Sequence, residues 1–168
     1  NDAYFYKRYF NEIKNKGRIV RFFFLENGEY MKGILLISHG DMAPGMKNSL
    51  TMFFGEDIKQ FATLSLKAGM GADEFGQLLR EKLEKVDSGD GVIIFADMFG
   101  GTPCNQALQV VNDKIDLIVG MNLPVVMEVL SKREYSDLTA EEIVETGKKG
   151  LVDAKQILYS TNEEVDDD

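Results

Sequence analysis

The sequence predicts an α/β fold: an open, doubly wound and mostly parallel sheet of four strands, flanked by helices. Short apolar runs of strand length alternate along the chain with longer segments of helical periodicity. At 168 residues, the chain has room for one compact domain and is too short for two comfortable ones. In folds of this class, reactive groups gather beyond the carboxyl ends of the strands.

The predicted strands are apolar runs with the length and branched side chains of buried strands. They cover residues 32–38, 61–66, 91–96 and 115–119. The second run alternates only weakly between apolar and polar residues, and the first ends in Ser-His-Gly. Each run is followed by a loop rich in glycine or polar residues, which places a strand end there.

The predicted helices follow the strands. In residues 72–86, the apolar residues are spaced by three and four, which is typical of an amphipathic helix. Pro44 fits the first turn of a helix over residues 43–54. Three further helices are predicted. One covers residues 102–111, residues 124–130 start another, and the last is a single long helix over 139–158.

The first thirty residues differ from the rest because they are rich in aromatic and basic side chains. Residues 18–25 and 31–38 flank Asn27-Gly28, a common hairpin turn, so the extension could add an antiparallel edge strand. Alternatively, Met31 is the natural start and the preceding residues come from upstream sequence or were added artificially. We favour the second interpretation. The expected domain then covers residues 31–160, and residues 161–168 form an acidic tail.

Composition narrows the class of protein. The net charge of −9 argues against non-specific nucleic-acid binding, which depends on lysine and arginine. A single cysteine, Cys104, fits a reducing compartment. Without an apolar run near the ~18 residues of a membrane span, and without a signal segment, we expect a cytoplasmic location. One histidine and one cysteine argue against a zinc site, so no metal or cofactor is expected.

Three loops after strand ends carry unusual residues: 38–41, 97–103 and 120–124. Because strands one and three are neighbours in a flavodoxin-like order, His39 and Asp97 are expected to face each other. A lone histidine is more often structural, and an aspartate at this position can simply cap a helix. As a pair, however, they predict a nucleophilic histidine. A carboxylate that accepts from one ring N–H fixes the tautomer of the imidazole and leaves the other ring nitrogen free to attack.

The second loop supplies a predicted anion site. Gly100 and Gly101 allow a tight turn with exposed N–H groups, Thr102 suits an N-cap, and Pro103 fits the first helical position. A helix start of this kind favours an anion. Of the other polar candidates, Asp41 is best explained as a solvated loop residue and Cys104 as a packed one. Glu128 could face solvent or a partner.

The segments 33–40, 97–103 with Asn105, and 120–124 with Glu128 resemble, in order and spacing, the enzyme IIA component of the mannose-type sugar phosphotransferase system. The resemblance covers about residues 31 to 160. It implies a parallel α/β domain that usually dimerises. It also implies a phosphotransferase role, in which the chain receives a phosphoryl group from phospho-HPr and passes it to enzyme IIB. The sugar is then phosphorylated during its transport through the membrane components IIC and IID.

Carried onto this chain, the resemblance implies that His39 is the acceptor, through Nε2, and that Asp97 holds Nδ1. The backbone of Gly100, Gly101 and Thr102, with the Thr102 hydroxyl, would bind phosphoryl oxygens. The segment after His39 would form the other wall of the pocket, and it consists of Gly40, Asp41, Met42 and Ala43.

Two features depart from the family pattern: Asp41-Met42, where an aromatic residue is common, and the N-terminal extension. Two alternatives share the fold. One is a regulatory domain that is phosphorylated without passing the group on, and the other is a phosphoryl donor to dihydroxyacetone kinase. The sequence Phe99-Gly100-Gly101 argues against the second, because that group typically has Met-Gly-Ser after the aspartate.

Overall fold

The computed structural model describes residues 31–134, 136 and 138–163. The N-terminal extension, residues 1–30, for which an edge strand over 18–25 is the alternative interpretation, lies outside these ranges. The last five residues of the acidic tail also lie outside them. Among the described residues, no helix is long and apolar enough to cross a membrane.

In the described part of the chain, four strands form one sheet in the order β2-β1-β3-β4, and every pair of neighbours is parallel. They are β1 (Gly33–His39), β2 (Phe61–Leu66), β3 (Val92–Ala96) and β4 (Ile115–Val119). The predicted fold class is therefore confirmed. Because β2 lies on one side of β1 and β3 on the other, the order reverses between β1 and β3, where such sheets bind ligands.

Within the ranges that the structure describes, six helices connect and follow the strands. They are α1 (Met42–Phe54), α2 (Ala72–Val86), α3 (Thr102–Leu108), α4 (Leu123–Lys132), α5 (Ala140–Lys149) and α6 (Ala154–Glu163).

The helices cover both faces of the sheet, which explains why the two central strands, β1 and β3, are buried along almost their whole length. Alternate residues of a strand point to opposite faces, so β1 contributes to two cores. Ile34 and Leu36 pack with residues of α1, α4 and α5, whereas Leu35 and Ile37 pack with residues of α2 and α3. All four side chains are fully buried.

The prediction of a single helix over residues 139–158 is wrong, because the helical conformation is interrupted after Lys149. Gly150 ends α5, and Asp153 starts α6 by accepting the backbone N–H groups of Lys155 and Gln156 at 3.0 and 3.2 Å. The sequence contains these signals, since glycine is common at helix ends and aspartate at helix starts. α6 also runs across the domain boundary predicted at residue 160.

Other boundaries shift less. α3 ends at Leu108, three residues before the predicted end, because the next N–H groups, of Gln109 and Val110, bond three residues back in a tighter turn. β1 begins and ends one residue later than predicted, so that His39 is the last residue of the strand.

Candidate functional site

His39 and Asp97 meet at the carboxyl edge of the sheet. Ile37 of β1 pairs with Ala96 of β3, so His39, two residues after Ile37, and Asp97, directly after Ala96, emerge at the same edge of the sheet. The Asp97 Oδ2 atom lies 2.8 Å from the His39 ring Nδ1 and accepts the His39 backbone N–H, also at 2.8 Å. The structure thus brings together the two residues that the sequence predicts as a pair.

Asp97 is held as an acceptor on both oxygens. Its Oδ1 accepts the backbone N–H of Met98 at 2.8 Å, while Oδ2 faces His39. Burial alone would raise the pKa of Asp97, but the hydrogen bonds from His39 and Met98, together with the charge of His39, lower it below the ordinary 3.8. The carboxylate is therefore ionised at neutral pH.

Asp97 orients the His39 ring, but part of the ring stays accessible to solvent. Its side chain is 43% exposed, whereas that of Asp97 is only 10% exposed. An ionised carboxylate can only accept hydrogen bonds, so Nδ1 carries the proton. In the neutral ring, Nε2 then keeps its lone pair free for an electrophile.

Gly101 lies against this free edge of the ring. A Cβ atom at Gly101 would stand 2.4 Å from His39 Cε1 and 2.9 Å from Nε2, closer than side chains pack. Only glycine lets the backbone approach the imidazole so closely. The preceding Gly100 has a φ of 82°, a conformation that other residues rarely adopt. Glycine is therefore required at both positions, for the backbone conformation at Gly100 and for the close approach to His39 at Gly101.

The start of α3 differs from the prediction by one position. Gly101 occupies the N-cap, and Thr102, predicted as the cap, is the first residue of the helix. Thr102 is half-buried beside the turn. The Asn105 side chain donates from Nδ2 to the Gly100 carbonyl at 3.2 Å.

Sequence reasoning missed Ser38, which fixes the other side of the site. Ser38 is fully buried, and its hydroxyl accepts the backbone N–H of Ala43 at 2.8 Å and donates to the Gly40 carbonyl at 3.4 Å. A serine inside an apolar strand was the available signal, because a buried hydroxyl needs partners. Ser38 therefore ties the end of β1 to the start of α1.

The predicted wall residues after His39 have different positions. Gly40 donates its N–H to the Leu66 carbonyl of β2 at 2.9 Å. Asp41 is exposed and precedes α1 without a side-chain capping bond, and Met42 is also exposed. Ala43 is fully buried in the core, so it could face a pocket only through its backbone.

Large apolar side chains are exposed on both loops that carry the site. Met42 follows His39, and Met98 and Phe99 follow Asp97; the Phe99 side chain is 74% exposed. Exposed apolar groups beside a reactive residue are typical of surfaces that meet another protein.

The third loop stabilises the scaffold. The Asn122 side chain accepts the N–H of Val125 at 3.0 Å, which caps α4, and donates to the Gly147 carbonyl of α5 at 2.9 Å.

The remaining polar candidates are Glu128 and Cys104. Glu128 pairs with Lys132 on the surface of α4. Cys104 is buried in the core on the α2 and α3 side of the sheet. Within residues 31–163, as far as they are described, no three histidine, cysteine or acidic side chains gather in a possible metal site.

The fold and the site define a class of protein: a parallel α/β domain that presents a carboxylate-paired histidine at its switch point. The family described as "EIIA-man: PTS system fructose IIA component" matches residues 33–147. The chain belongs to this family, the mannose-type enzyme IIA components of the sugar phosphotransferase system, as the sequence motifs predict.

Relatives support this placement. The chain is 33% identical to the "PTS system fructose-specific EIIA component" of Bacillus subtilis over 107 residues, which are 62% of this chain and 73% of that protein. It is 30% identical to the "PTS system mannose-specific EIIAB component" of Escherichia coli over 124 residues, which are 70% of this chain but only 38% of that protein.

Solved structures agree with the fold. A PTS IIA protein associated with the fucose utilization operon of Streptococcus pneumoniae superposes with a TM-score of 0.71 at 34% identity, covering 77% of this chain and 98% of that one. A mannose/sorbose specific IIA subunit from Enterococcus faecalis superposes with a TM-score of 0.64 at 27% identity, covering 74% and 95%.

Proposed function

We propose that this chain is a phosphoryl carrier, which accepts a phosphoryl group from phospho-HPr on Nε2 of His39 and passes it to enzyme IIB for sugar uptake. The observation that carries the proposal is that the two ring nitrogens of His39 have different surroundings. Asp97 engages Nδ1 at 2.8 Å, while the edge with Nε2 is partly exposed and lies against Gly101.

The proposed step is a displacement at phosphorus. The Nε2 lone pair of His39 forms a new N–P bond as the N–P bond of the donor phosphohistidine breaks, and that electron pair stays on the donor imidazole. The Nδ1–H stays hydrogen-bonded to Asp97, which balances the positive charge that the ring gains. Both bonds are of the same type, so the protein has mainly to position and stabilise the group.

The phosphoryl oxygens need hydrogen-bond donors. We assign this role to the N–H groups of Gly100, Gly101 and Thr102 and to the Thr102 hydroxyl. No protein acceptor among the described residues takes these three backbone protons. On the opposite side, the backbone of Gly40 and Ala43 and the side chains of Asp41 and Met42 would form the wall.

A protein partner, rather than a small substrate, fits the surroundings of His39. The exposed side chains of Met42, Met98 and Phe99 give a docking protein apolar contacts next to the reactive atom. The net charge of −9 would favour a partner with a basic face. We further propose a cytoplasmic homodimer that acts beside the membrane components IIC and IID.

The test is phosphorylation in a purified system. The chain is incubated with enzyme I, HPr and phosphoenolpyruvate, and its intact mass is measured before and after mild acid. We expect an acid-labile gain of one phosphoryl group that is absent from His39→Ala. Labelling that persists in His39→Ala would refute the assignment.

A second stage tests where the group goes. Addition of enzyme IIB should discharge the phosphorylated chain, whereas dihydroxyacetone kinase should not. A stable phosphorylated chain that no IIB discharges would instead favour the regulatory alternative.

A further inference from the structure

A single residue, Asn105, holds the diglycine turn beside His39 from one side. Its Nδ2 donates to the Gly100 carbonyl at 3.2 Å, and its backbone N–H donates to the Gly101 carbonyl at 2.9 Å. Both carbonyls of the turn therefore point toward Asn105. The second contact is ordinary for the start of a helix, but the first depends on the side chain.

These contacts determine where the N–H groups of the turn point. The C=O and N–H of a trans peptide point in opposite directions, and the described residues include no cis peptide. Holding the Gly100 carbonyl toward Asn105 turns the Gly101 N–H away from it. This N–H has no acceptor within the part of the chain that the structure describes.

Gly101 is also the residue that lies against the free edge of His39, since its Cβ position would fall 2.9 Å from Nε2. An N–H at this residue is within reach of a group carried on Nε2. The loops 38–41, 97–103 and 120–124 contain no lysine or arginine, so the donors that these three loops offer to an anion are neutral. The direction of each such donor then matters more.

We propose that Asn105 is a positioning residue for phosphoryl transfer, which aims the Gly101 N–H at the phosphoryl group on His39 by holding the Gly100 carbonyl. The inference rests on the proposed function and adds to it the group that orients the donor. Without the Asn105 side chain, the peptide between two glycines can rotate, because glycine has the widest backbone freedom. A donor that must reorient during the reaction stabilises the transition state less than a fixed one.

The experiment compares Asn105→Ala and Asn105→Asp with the wild type. Alanine removes the donor without weakening α3, because it is the best helix former. Aspartate keeps the size but can only accept, so it cannot hold a carbonyl. The matched control is Asn112→Ala. The Asn112 Nδ2 also donates to a backbone carbonyl at 3.2 Å, that of Val110, at the turn before β4.

Three quantities are measured for each variant: the kcat and KM for transfer from phospho-HPr, the fraction phosphorylated at equilibrium with HPr, and the amide proton shift of Gly101 on phosphorylation. For both Asn105 variants, we expect kcat and the equilibrium ratio of phosphorylated to free protein to fall about tenfold, equivalent to one hydrogen bond. KM should stay near the wild-type value, and the large Gly101 shift of the wild type should shrink.

Asn105 variants that match Asn112→Ala in kcat, equilibrium and Gly101 shift would overturn the inference while the wild type is still phosphorylated on His39. An altered KM with unchanged equilibrium and Gly101 shift would also overturn it, because it would place Asn105 in partner docking. Failure of the proposed function looks different: the wild type itself would gain no phosphoryl group on His39.

Discussion

The two ends of the parallel sheet each use one side chain to join neighbouring segments, but they use it in opposite ways. At the carboxyl end, Asp97 holds the ring and backbone of His39, and the ring is partly exposed. At the amino end, the buried guanidinium of Arg133 donates to the carbonyls of Lys32, Lys59 and Gln60 at 2.5–3.4 Å.

The difference is in how completely the hydrogen-bonding nitrogens of Arg133 and His39 are occupied by protein partners. The Arg133 guanidinium lies among carbonyls; burial lowers the pKa of Arg133, and the charge of Glu134 opposes this only in part. His39 keeps one nitrogen without a protein partner among the described residues. If the carboxyl end carries the proposed reaction and the amino end mainly stabilises the fold, mutations at the two ends should affect different measurements.

The largest effect is expected from Asp97→Asn. Asp97 accepts three hydrogen bonds on two oxygens, and asparagine has only one oxygen, so an amide N–H₂ must face a donor in either orientation. By analogy with the aspartate of hydrolytic triads, transfer should slow by up to about 10⁴-fold. Single-turnover transfer from phospho-HPr measures it. A near-normal rate in this variant would show that the pairing is structural only.

Arg133→Met should affect stability and spare the reaction. The carbonyls of Lys32 and Lys59 lose a donor, and each loss costs about 1–3 kcal/mol, so the free energy of unfolding should fall by about 2–6 kcal/mol in urea titrations. Lys32→Met is the matched control at the same end of the sheet. It removes a 2.7 Å ion pair with Asp116 that is partly exposed, and should cost less than about 1 kcal/mol. Slower transfer by folded Arg133→Met would contradict the separation of the two ends.

Ser38→Ala should affect both measurements modestly, because Ser38 lies in the core and holds the loop at His39. The Ala43 N–H loses its acceptor, which should reduce the free energy of unfolding by about 1–2 kcal/mol. Transfer should slow by about tenfold as the loop loosens. Ser38→Thr keeps the hydroxyl and serves as the control. If Ser38→Ala lost stability without any change in rate, the loop would not depend on Ser38 for its catalytic geometry.

The smallest effect at neutral pH is the contribution of Asp97 ionisation to stability. Because the pKa of Asp97 is lowered in the folded protein, this contribution is complete above the ordinary value of 3.8 and is lost as the pH falls toward the lowered one. The difference in unfolding free energy between the wild type and Asp97→Asn should therefore be constant near neutral pH and shrink below about pH 4. Urea titrations across this range measure it; a difference that shrinks already at pH 6 would contradict the direction of the shift.

Much of the fold and part of the site follow from the sequence alone. Apolar runs of strand length predict the four strands, and the central strands β1 and β3 are the most completely buried because helices cover them on both faces. The spacing in residues 72–86 predicts α2, and the loop motifs predict the family and single out His39, Asp97, Gly100 and Gly101. The strand and helix signals are local, since each can be recognised within about fifteen residues, whereas the family is predicted by the order and spacing of three loop motifs.

Tertiary structure decided what depends on residues far apart in the chain. Only the register of β1 with β3 places Asp97 at 2.8 Å from His39 Nδ1, and only that approach explains why Gly101 tolerates no side chain. Arg133 carries no signal of its role, because its partners lie up to 101 residues away. Sequence periodicity specifies which faces are buried, whereas the contacts that orient a reactive ring depend on the arrangement of separate loops at one edge of the sheet.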